Sequence, residues 1–81
     1  MNKYKNKLNI SGNIIRKNRK QQKMSLDELS NKLQLLGITI YKNDLHRLET
    51  NKRAIKDFEL VAICRILKID YQNIDNEVKE N

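Results

Sequence analysis

Between residues 25 and 37 the chain reads SLDELSNKLQLLG, and no other stretch limits the possible folds as strongly. Leu26, Leu29, Leu33 and Leu36 recur at intervals of three and four, the spacing of one face of an α-helix. Ser25 is an N-cap residue, and Glu28 three positions later completes the S-x-x-E capping box, which satisfies two otherwise orphaned backbone donors. Gly37 follows the last leucine, where a residue free to take a left-handed backbone can end the helix. The stretch therefore predicts a helix over 26–36, apolar on one face only, which demands other elements to cover that face.

The rest of the chain offers helices for this purpose. It contains no proline and two glycines, so little interrupts a helical pattern. Ile15 and Arg19 lie four apart after Gly12 and place a first, largely exposed helix there. Leu45 and Leu48, with Ile40 upstream, predict a third over 41–50. Tyr41 is a poor N-cap for it, and Thr39 is the better candidate. Leu60, Ile63, Cys64 and Leu67 give the buried stripe of a fourth, with Asp57 and Glu59 at the positive end of its dipole and Ile55 turned inward ahead of it. A short fifth runs over 69–74, capped by Asp70. The expected architecture is an all-α, compact five-helix domain over residues 12–75, with a flexible basic arm at 1–11 and a frayed tail at 76–81.

At 81 residues the chain has room for one small domain. Its charge is divided unevenly. Residues 1–53 hold 13 Lys/Arg against 4 Asp/Glu, whereas residues 54–81 hold 4 against 6. A basic front and a mildly acidic rear point to one face that meets a polyanion; the plainer alternative is a solvated basic surface. One cysteine makes no internal disulfide, which fits a reducing, cytoplasmic setting. No apolar run is long enough to span a bilayer. The turn Tyr41-Lys42-Asn43-Asp44 has no core to face, and its side chains must reach for something else.

The segments IRKNRK, MSLDELSNKL, LHRLETNKR and LVAICRILKI, taken together, resemble the Cro/cI-type (XRE-type) helix-turn-helix family of phage and bacterial repressors over roughly residues 12 to 75. The chain departs from that pattern in three places. Gln34 to Thr39 makes a longer connection than the shortest family form. Thr50-Asn51 replaces the commoner Asn-Gly or Arg-Gly, and Leu26 stands where many members carry a glutamine that braces the DNA backbone. The resemblance implies a lambda-repressor-like fold whose third helix enters the major groove of DNA. Mapped onto this chain, Tyr41, Lys42, Asn43, Asp44 and Arg47 become the base-contacting set. Asn43 matches adenine, Arg47 forks onto guanine, and Asp44 accepts from cytosine or orients Arg47. Phosphate contacts are expected from Ser25, Lys17, Lys23, Lys52 and Arg53. The resemblance also makes Arg19 and Glu49 an interior ion pair. It further implies a homodimer on a palindromic operator, for which Phe58, Ile66, Tyr71 and Ile74 are the candidate interface.

No enzyme, metal or cofactor is expected. His46 has no cysteine or carboxylate at ligand spacing, and there is no phosphate loop or catalytic triad. No small-molecule ligand is evident, and the lack of tryptophan and of exposed apolar stripes weakens a membrane-surface role. The leading expectation is a sequence-specific double-stranded DNA-binding regulator of transcription acting as a repressor; the competing one is a protein-interaction module, such as an antitoxin or adaptor, on the same fold.

Overall fold

Five helices and no strands make up the computed structural model, which describes residues 7–79, with side chains to residue 76. They are α1 (Gly12–Gln21), α2 (Leu26–Leu35), α3 (Lys42–Glu49), α4 (Asp57–Leu67) and α5 (Tyr71–Lys79). The core is one cluster. Ile15 comes from α1, Leu29 and Leu33 from α2, and Leu45 and Leu48 from α3. Ala62, Ile63, Cys64 and Leu67 come from α4, with Ile40 and Ile69 from the links. Helices α1 and α2 each pack on both α3 and α4, so the leucine face of α2 is covered from two sides. The radius of gyration is 12.2 Å, as expected of a folded chain of about this length.

The helix ends follow local chemistry. At α2 the Ser25 side chain accepts from the Glu28 amide at 3.0 Å, while the Glu28 carboxylate accepts from the Ser25 amide at 3.4 Å. Gly37 takes φ +82 with open space around it. Helix α2 stops at Leu35, one residue earlier than its leucine spacing predicts, and Leu36 becomes its C-cap. Helix α3 is capped by Tyr41 in extended conformation, without a side-chain cap bond, rather than by Thr39. A different bond defines this start: Ser30 Oγ on α2 donates to the Ile40 carbonyl at 2.7 Å. Helix α5 extends to Lys79, past the expected end at Ile74, because nothing in 75–79 breaks a helix.

Residues 1–6 of the expected arm lie outside the described residues. Its remainder is docked rather than loose. The Leu8 amide donates to the Asn51 carbonyl at 3.0 Å. Asn9 Nδ2 donates to the carbonyls of Leu48 (2.9 Å) and Arg53 (2.8 Å), and Asn9 Oδ1 accepts from the Gly12 amide. Gly12 itself is a close-approach position: a Cβ there would sit 2.5 Å from the Leu48 carbonyl oxygen. The start of α1 thus lies directly on the end of α3.

Candidate nucleic-acid interface

Helix α3 divides cleanly into two sides. Leu45 and Leu48 are fully buried, and burying a leucine contributes about 1.5–3 kcal/mol. Tyr41, Lys42, Asn43, His46 and Arg47 are exposed. Positions 42, 43, 46 and 47 lie at i, i+1, i+4 and i+5, which places them on one stripe of the helix. Tyr41 is 71% exposed. Arg47 lies 3.7 Å from Asp44 in an exposed pair of a kind that contributes little to stability but restrains the arginine. Tyr41, Lys42, Asn43 and Arg47 of the expected set are therefore brought together on one open surface, with the half-buried Asp44 beside Arg47. His46 belongs with them. The four-residue step from Lys42 to His46 is the signal in the sequence that marks it.

The bond from Ser30 to the Ile40 carbonyl holds the start of this helix, and its C-terminal end is anchored as well. At its C-terminal end Arg19 Nε donates to Glu49 Oε2 at 2.7 Å and Arg19 Nη2 to Glu49 Oε1 at 3.0 Å, while Nη1 donates to the Met24 carbonyl at 2.6 Å. Arg19 and Glu49 are both buried, so one guanidinium joins α1, the α1–α2 turn and α3. At the exit, Asn51 adopts a left-handed backbone, φ 63. Its Oδ1 is buried without a hydrogen-bond partner among the described residues and lies where a Gly12 side chain would otherwise be.

Two expected phosphate ligands are already engaged. Arg53 forks onto Glu59, Nη1 to Oε1 at 3.1 Å and Nη2 to Oε2 at 3.2 Å, and Glu59 also accepts from the Lys56 amide at 2.9 Å. Burial pushes the Glu59 carboxyl up, but the bonds from Arg53 and the Lys56 amide outweigh it and hold the group below the usual carboxylate range. The bond to Glu59, opposed by partial burial, raises Arg53 in turn. Arg53 is thus a staple across the exit loop, not a free cation. Ser25 is likewise spent on its capping box, which sets the Glu28 carboxylate at that helix end. Lys17, Lys23 and Lys52 are exposed.

The expected dimer residues do not form one surface. Ile66 and Ile74 pack against the core, whereas Phe58 and Tyr71 are exposed. Burial raises the Cys64 thiol, which suits a core role. Among the described residues no helix is long and apolar enough to cross a membrane. Comparison with known proteins finds no matching family model, no matching curated protein and no matching solved structure.

Proposed function

We propose that this chain is a sequence-specific double-stranded DNA-binding regulator of transcription, acting as a repressor, in which α2, the link after it and α3 form a helix-turn-helix of the lambda-repressor-like kind. One observation carries the reading: α3 is pinned from behind by Leu45 and Leu48 and presents Lys42, Asn43, His46 and Arg47 as an open stripe. A helix held this way suits a major groove, where amide and guanidinium groups meet base edges. The surplus of basic residues in the first two-thirds of the chain supports it, with Lys42, Lys52, Lys17 and Lys23 supplying phosphate contacts. Arg53 and Ser25 have other partners and are left out of that set.

Competition binding tests the proposal. A promoter fragment containing an inverted repeat is set against random DNA at two salt concentrations. The reading predicts preference for the repeat and an affinity that falls with salt, with a log–log slope of roughly −0.9 per neutralised phosphate. Lys52→Ala lowers affinity for every sequence alike and reduces that slope by about 1. Binding without sequence preference, or insensitive to salt, removes the proposal.

A further inference from the structure

Where α2 gives way to the link and α4 passes beside it, an open groove of about 480 Å³ is lined by Leu36, Ile38, Phe58, Val61 and Ala62, with Asp57 and Arg65 also on its walls. Leu36 is 46%, Phe58 54% and Val61 43% exposed, whereas Ala62 is buried and forms the floor. A concave volume of this size, apolar with a few charged groups at its edge, is what a small-molecule site offers.

The charges say which molecule. Arg65 follows Asp57 by eight residues, so the two stand about 12 Å apart along α4 at 1.5 Å per residue. The Asp57 end is already balanced. Its Oδ1 accepts from the Phe58 amide at 2.6 Å, at the positive end of the helix dipole, and the Lys56 ammonium stands 5.8 Å from the centre of the Phe58 ring. At the other end, among the described residues, the Arg65 guanidinium takes part in no ion pair. An exposed cation at one end of an apolar trough calls for an anion with an apolar tail, and a guanidinium fork matches a carboxylate.

We propose that this groove binds a free medium-chain carboxylate, such as a fatty acid. Its carboxylate forks onto Arg65. Its chain lies over Ala62, between Leu36 and Ile38 on one wall and Phe58 and Val61 on the other, and ends near the Phe58 ring. The groove is open to water on one side, so binding is weak and each methylene contributes only part of what full burial would give. The inference stands apart from the DNA-binding proposal, because it is tested without nucleic acid.

Backbone amide shifts of the full chain, isotope-labelled and titrated with octanoate below its micelle threshold, provide the test. Saturable shifts are expected at Leu36, Ile38, Phe58, Val61, Ala62 and Arg65. Affinity rises about threefold per methylene from hexanoate through octanoate to decanoate. Octanoate binds roughly fivefold tighter than octanol, which has the same chain and no charge, and octyltrimethylammonium binds no better than octanol. Arg65→Gln brings octanoate down to the level of octanol, and Val61→Glu, which puts a carboxylate in the trough, abolishes octanoate binding. Circular dichroism and melting curves matched to wild type establish that both variants are folded, as expected for exposed positions. Shifts that do not saturate or lie outside the groove, a cation that binds as well as octanoate, or a folded Arg65→Gln variant that keeps the preference over octanol would each overturn the proposal. Groove shifts that follow protein concentration alone, untouched by octanoate, assign the face to a second copy and overturn it too.

Discussion

Arg19 shows how much a small domain can rest on one side chain. Its guanidinium holds both Glu49 and the Met24 carbonyl, and replacing it strands a carboxylate that is almost fully buried. Removing one partner of such a pair costs about 3–5 kcal/mol, against a total stability of roughly 4–12 kcal/mol for a domain of this size. Arg19→Ala is therefore expected to lower the thermal midpoint by at least about 10 °C; an unchanged midpoint refutes the assignment. Asn51 supplies a second prediction at this scale. Its left-handed backbone and unpartnered buried oxygen are both relieved by Asn51→Gly, whereas alanine keeps the backbone strain. Urea denaturation should find Asn51→Gly more stable than Asn51→Ala by about 1 kcal/mol, and the reverse order contradicts this reading.

Among the elements, the Arg53–Glu59 staple links the exit of α3 to the first turn of α4. The folded state holds the Glu59 carboxyl below its ordinary value of 4.5, so at acid pH the folded chain binds fewer protons than the unfolded one. The staple's contribution is complete above that ordinary value and fades as pH falls through the lower folded value. Glu59→Gln is expected to be less stable than wild type at neutral pH, with the gap closing in acid. A gap that is independent of pH in urea titrations contradicts the assignment. Elements of this kind separate what the sequence could reveal from what it could not. The leucine intervals located α2, the core side of α3 and the stripe of α4, because helical period leaves a repeating trace. Single polar residues leave none. Asn9 and Leu48 are 39 positions apart, and Ser30 reaches Ile40 across a turn, so neither bond has a local signature. Arg53 read as a free cation because its partner lies across a loop. The docking of residues 8–11 was hidden for the same reason.

At the scale of the whole molecule, the exposed stripe of α3 sits on a helix held from behind by the core. The anchors of Arg19, Asn9 and Ser30 hold α3 in a fixed pose between them, as the proposed reading requires of side chains that must arrive already oriented. Selection of bound duplexes from a random DNA pool, followed by sequencing, tests the central claim most directly when wild type and Asn43→Ala are run in parallel. The account predicts that wild type enriches an inverted repeat, and that the variant loses its preference for adenine at one position in each half while still binding. A pool with no enriched motif, or two indistinguishable motifs, would contradict it.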